Sequence, residues 1–105
     1  MKIIRAEHGY GGYDDVMFGT SFTFEGSGCG ISDFLGWWPL SYVRSERAAW
    51  TDDDRNRFFL EAQLKLEKIL KDAKVRSVGD LVGKPVEVTI VNSALESWRI
   101  LTEVI

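Results

Sequence analysis

Polar and apolar residues alternate most cleanly at Ser21-Phe22-Thr23-Phe24-Glu25. A period of two marks a half-buried strand, so Phe22 and Phe24 are expected to face the core together. Lys2 to Ala6 predicts a short strand before it, and Asp14 to Phe18 another. Between them lies the turn-rich stretch Gly9-Tyr10-Gly11-Gly12-Tyr13. Gly26, Gly28 and Gly30 break the Ser21–Glu25 strand by a tight turn, a bulge or a close backbone approach. From Ile31 to Trp50 the pattern is aromatic and irregular, with Phe34, Trp37, Trp38, Tyr42 and Trp50, and Pro39 interrupts any regular element. Ser32 is suited to cap a short helical turn through Leu35, stopped by Gly36.

The period then changes to that of a helix. Thr51 is a good N-cap, and Asp54, three residues on, completes a near capping box. Asp52, Asp53 and Asp54 crowd a first turn where the helix dipole favours negative charge. At about 100° per residue, Phe58, Phe59, Ala62, Leu66, Ile69, Leu70 and Ala73 share one broad face. Leu60 and Leu64 adjoin each other but point away from that face, among charged neighbours. Either the aromatic loop folds over them or they are exposed for a partner.

Ser77 to Val82 predicts one helical turn stopped by Gly83. Pro85 to Val91 predicts a strong strand, Asn92-Ser93-Ala94 a turn, and Trp98 to Ile105 a final strand antiparallel to the one before. The order is strands, aromatic loop, helix, strands. It predicts an α+β fold over residues 1–105 as a single domain: a small antiparallel sheet with one long helix packed on one face. One helix covers one face, so the other face is expected to be polar, dimerised or covered by the aromatic loop.

Composition narrows the function classes. The 13 basic and 16 acidic residues give a net charge of −3, the wrong sign for direct nucleic-acid binding. The charge is uneven: residues 1–54 hold nine acids and four bases, residues 55–105 seven acids and nine bases. An acidic front half suits a basic partner surface, although local imbalance is also common on solvated surfaces. One cysteine, Cys29, excludes an internal disulfide and a four-cysteine zinc site. The N-terminus does not read as a signal peptide, and no window approaches a transmembrane run, so a cytoplasmic location is expected.

Residues able to carry chemistry are few. His8 beside Glu7 could do acid–base work, but neighbours in a strand often point apart. Cys29 would need a base such as His8 to become a nucleophile, and otherwise is a small, partly buried thiol. Asp14-Asp15 and Asp52-Asp53-Asp54 could hold a divalent cation, yet capping explains the second group. Neither glycine cluster matches a P-loop or a dinucleotide fingerprint. No catalytic residue, metal or cofactor is therefore assigned. Flexible glycines beside Tyr10, Tyr13, Trp37 and Trp38 could stack a planar ligand such as a nucleotide base, or these aromatics could be core.

The glycine- and aromatic-rich front, the lone helix, the run Asp80-Leu81-Val82-Gly83-Lys84-Pro85-Val86-Glu87-Val88 and the short terminal strand together resemble small accessory proteins of bacteriophages and prophages. The motif Leu81-Val82-Gly83-Lys84-Pro85-Val86 ends a helical turn and starts a strand, so it has a structural explanation. What the resemblance implies is a role: binding and disabling a host defence component, as counter-defence and anti-CRISPR proteins do. Sequestering a nucleotide signal is the alternative role it implies. The binding residues expected for either are Tyr10, Tyr13, Trp37, Trp38, Leu60 and Leu64, with a homodimer possible. A small enzyme using His8 and Cys29 is the third alternative.

Overall fold

The computed structural model describes residues 1–12, 15–39 and 50–105. The alternation around Phe22 extends further than its five clearest residues. Strand β2 runs Met17–Gly26, between β1 (Lys2–Gly11) and β3 (Cys29–Trp37), all antiparallel. Helix α1 (Asp52–Ala73) follows, then a 3₁₀ turn at Val78–Leu81 and a hairpin of β4 (Val86–Val91) and β5 (Ala94–Ile100). The expected α+β fold holds: one main helix packs against a small antiparallel sheet.

Five local expectations need correction. The first strand does not stop at Ala6 but runs through Gly9, Tyr10 and Gly11, where a turn was expected. The strand expected from Asp14 to Phe18 is not separate where it is described: Met17 and Phe18 open β2, which passes straight through Gly19, and Asp14 lies outside the described residues. Ile31 to Trp37 is strand rather than irregular loop, and Ser32 to Leu35 is not a helical turn. There the inward row is Ile31, Asp33, Leu35 and Trp37, paired with Phe24, Phe22, Thr20 and Phe18. A charged residue inside that row and Phe34 on the opposite face conceal its period. The last strand begins at Ala94 and ends at Ile100, and Thr102–Val104 form a 3₁₀ turn. Finally, the hairpin is a separate two-stranded sheet rather than part of one sheet.

Two tight turns set the registers. Ser27 and Gly28 join β2 to β3, and Asn92 and Ser93 join β4 to β5, all four at positive φ. Positive φ at both central residues is the mark of the type I′ turn, whose twist matches that of the strands it joins. Gly19 meets a different need. A Cβ there would overlap the Leu35 carbonyl oxygen, so β2 and β3 approach closely only because the position lacks a side chain.

The helix begins as its sequence dictates. The Thr51 hydroxyl accepts from Asp54 N–H at 3.1 Å, and Asp54 accepts from Thr51 N–H at 2.9 Å. That bond from the Thr51 backbone, above all, holds the Asp54 carboxyl below its usual range. The helix ends at Lys74, which adopts the left-handed conformation and donates its N–H back into the last turn.

The core lies at one end of the three-stranded sheet. Ile3, Phe22, Phe24, Ala73, Leu81, Val86 and Ile100 are buried together. Trp98 of β5 spans Phe22 and Phe24 with ring centroids at 4.9 and 4.6 Å, and its indole N–H donates to Asp33 at 2.7 Å. The start of β4 is stitched to the start of β1: Ile3 N–H donates to Lys84 O at 3.0 Å and Val86 N–H to Met1 O at 2.9 Å. The strands thus follow the order β3-β2-β1-β4-β5 around the core, and the Trp98–Asp33 bond links the two ends of that order. Among the described residues no helix is long and apolar enough to cross a membrane.

Candidate functional site

The inner face of the three-stranded sheet changes character along β2. Beyond Phe22 the next inward rows are His8–Thr20–Leu35 and Tyr10–Phe18–Trp37. Their rings form a connected set. Tyr10 meets Phe18 edge-on at 5.3 Å, Phe18 meets Trp37 at 5.8 Å, and Trp37 meets Phe59 of α1 edge-on at 4.9 Å. Perpendicular contacts of this kind set the positive edge of one ring against the negative face of the next. His8 stands edge-on to Phe18 at 5.1 Å, and its Nδ1 lies 2.8 Å from the Thr20 hydroxyl. That bond satisfies Thr20, the buried polar residue of this face.

This aromatic set is a surface rather than a core. Tyr10 is 67% exposed and Phe59 43% exposed, while Phe18 and Trp37 are half-buried. Of the six expected binding residues, the structure brings Tyr10 and Trp37 together through Phe18. Trp38 turns elsewhere: it stacks on Trp50 at 5.5 Å, and Arg55 lies over Trp50 and donates to Pro39 O at 3.2 Å. That cluster fastens the start of α1 to the end of β3. Tyr13, like Tyr42, lies outside the described residues.

Leu60 and Leu64 are exposed, at 57% and 56%. They do not extend the aromatic set, because helical geometry places them on the side of α1 opposite Ala62, Leu66 and Ala73, which face the core. The expected binding residues Leu60, Leu64, Trp37 and Trp38 therefore fall on separate surfaces. Phe18 and Phe59 are the members that sequence reading missed as binding residues. Phe18 was assigned to a strand with no face, and Phe59 to the buried helical stripe. For Phe18 a signal was available in the cross-strand register, which the turn at Ser27-Gly28 fixes once β3 is recognised, whereas Phe59 joins the set only through the packing of α1 on β3.

Two clefts flank the sheet. One, of about 460 Å³, opens between β3, β5 and α1, bordered by Leu35, Lys65, Ile69, Trp98 and Arg99. The other, of about 630 Å³, is broad and open on the outer sheet face, bordered by Arg5, Tyr10, Gly11, Gly12 and Phe34. In it the Phe34 ring rests over Gly11, Gly12 and Gly36, where any Cβ would crowd or overlap it. The glycine stretch thus borders a concave surface whose aromatic ring is Phe34, while the Tyr10 ring lies with Phe18 and Trp37 on the inner face.

His8 and Cys29 are far apart. His8 pairs with Thr20 and Cys29 with Gly26, six residues along β2 and hence about 20 Å. Hydrogen-bond reach is about 3 Å, so this pair cannot act as base and nucleophile. Among the described residues no three His, Cys, Asp or Glu side chains cluster as metal ligands would. No family model, curated protein or solved structure matches the chain.

Proposed function

We propose that this chain acts by protein–protein contact, disabling a factor of a bacterial host in the cytoplasm, with the aromatic face as its contact surface. The observation that carries this reading is the connected row Tyr10–Phe18–Trp37–Phe59, exposed at its two ends and half-buried between them. Interface hot spots are enriched in tyrosine and tryptophan, because a large rigid ring gains contact area while losing little conformational entropy. The row also sits where β3 and α1 hold the rings in fixed orientation, which lowers the ordering cost of binding. Resemblance to phage accessory proteins supplies the class of partner.

The test is affinity capture from bacterial lysate with the unaltered chain and with Tyr10→Ala/Phe59→Ala side by side. A stoichiometric partner that the double variant loses at least about tenfold supports the reading. A partner retained equally by both chains, or none at all, counts against it.

A second reading rests on the outer cleft. The Phe34 ring beside Gly11 and Gly12 offers a stacking surface for a planar ligand such as a nucleotide base. A thermal-shift screen with nucleotides tests it; a shift abolished by Phe34→Leu would favour it over the contact reading.

A further inference from the structure

The outward face of α1 carries a pattern that neither the core nor the aromatic face uses. Asp53, Arg57, Leu60, Leu64, Glu67 and Lys71 are all exposed, and their spacing alternates four and three. That spacing is the seam of a coiled coil. Asp53, Glu67 and Lys71 have no side-chain partner among the described residues, and Arg57 reaches Asp54 at 3.1 Å and lies over the Phe58 ring at 5.3 Å, both on its own helix. The seam holds two leucines at its centre and charges of both signs on either side.

We infer that two copies of this chain pair through this seam, antiparallel, about a two-fold axis level with Ala62 but on the exposed side of α1, opposite that buried side chain. The charges choose this arrangement. Leu60 and Leu64 lie two residues either side of Ala62, Arg57 and Glu67 five either side, and Asp53 and Lys71 nine either side. A two-fold axis there sets Leu60 on Leu64 of the second copy, Arg57 on its Glu67, and Asp53 on its Lys71. Every facing pair is complementary, and each occurs twice, as an isologous interface requires. A parallel pairing in register sets Asp53 on Asp53 and Arg57 on Arg57. Sliding the antiparallel pair by one heptad sets leucine against arginine. Both alternatives lose what the first arrangement gains.

The partner this face fits is therefore a second copy. The seam spans about 27 Å of helix with two apolar layers, less than a standard interface, so the association is weak, with a dissociation constant of about 10–100 µM. The dimer leaves the aromatic face of each copy free, which makes the assembly bivalent. It also assigns self-association to the helix and not to the uncovered sheet face.

Sedimentation equilibrium of the full chain from about 10 µM to about 1 mM tests this. The unaltered chain is expected to shift from monomer to dimer across that range. Leu60→Glu/Leu64→Glu is expected to stay monomeric with its circular dichroism unchanged, since both side chains are exposed. R57E and E67R should each weaken pairing at least about fivefold, and R57E/E67R together should return it to within about threefold. Three results would overturn the inference: a monomer at the highest concentration, a dimer indifferent to the leucine changes, or a double charge variant no better than the singles. None of these readouts involves a host protein, so the inference and the proposed contact surface stand or fall separately.

Discussion

The two ends of the inner sheet face are built from the same three strands and differ in what lies over them. At one end Phe22 and Phe24 are completely buried beneath Trp98, with Ile3, Val86 and Ile100 around them. At the other, Phe18 and Trp37 continue the same inward rows, yet Tyr10 beside them is 67% exposed and Phe59 covers them from one side. Inward orientation therefore does not make a residue core. The hairpin β4–β5 and the C-terminal half of α1 seal one end, and that cover decides which aromatics stabilise the fold and which remain available for contact.

The comparison is broken most directly by truncating one ring at each end. Phe22→Ala is expected to cost about 3–5 kcal/mol in urea unfolding, because it empties a fully buried site. Phe18→Ala, four residues along the same strand and face, should cost less than half as much. Equal costs would mean that both ends are core.

A smaller effect is expected where the hairpin is fastened. Trp98→Phe keeps most of the ring packing but removes the N–H that satisfies Asp33. A loss of about 1–3 kcal/mol is expected from leaving that half-buried carboxylate without its donor. A negligible loss would show that Asp33 turns to solvent and that packing alone seals the end.

At the open end, Tyr10→Ala should change unfolding free energy by no more than about 0.5 kcal/mol. A larger loss, read from the same urea titration, would place Tyr10 in the core rather than on the contact face.

The smallest effect concerns the tether behind the sealed end. Arg99 donates to Glu103 at 2.8 Å and to Glu87 at 3.1 Å. Its bonds, and a further one from Thr102, hold the Glu103 carboxyl at about 2, against 4.5 for an ordinary glutamate. A carboxyl depressed by folding adds stability that is present above its unfolded value and fades as pH falls through the folded one. The window is therefore from about 4.5 down to about 2. Because the pair is about half exposed, solvent screening keeps the contribution small. In an NMR titration of the Glu103 carboxyl, Arg99→Gln should return it toward 4.5; no movement would remove Arg99 as the cause.

Elements whose signals lie close together in the chain were legible. Thr51 and Asp54 announce the start of α1 because a capping box needs only four consecutive residues. Phe22 and Phe24 announce their burial by alternation. Strand β3 was not legible, because Asp33 interrupts its inward row and its partner for that charge, Trp98, lies 65 residues away. The separation of the expected binding residues was hidden for a similar reason. Leu60 and Leu64 show their departure from the helical stripe locally, whereas Trp37 finds Phe59, and Trp38 finds Trp50, only once β3 and α1 are placed side by side.

By itself the sequence determined the α+β class, the length and capping of α1, the turn at Asn92-Ser93 and the position of two leucines away from the helical stripe, among charged neighbours. These follow from propensity, period and capping, which act over a few residues. Tertiary structure alone decided that the aromatic front splits into a buried end and an open one, that His8 and Cys29 stand apart, and that Gly19 must lack a side chain. Those outcomes depend on strand register and on which segment covers which face. Both are set by contacts between distant parts of the chain, which no local pattern records.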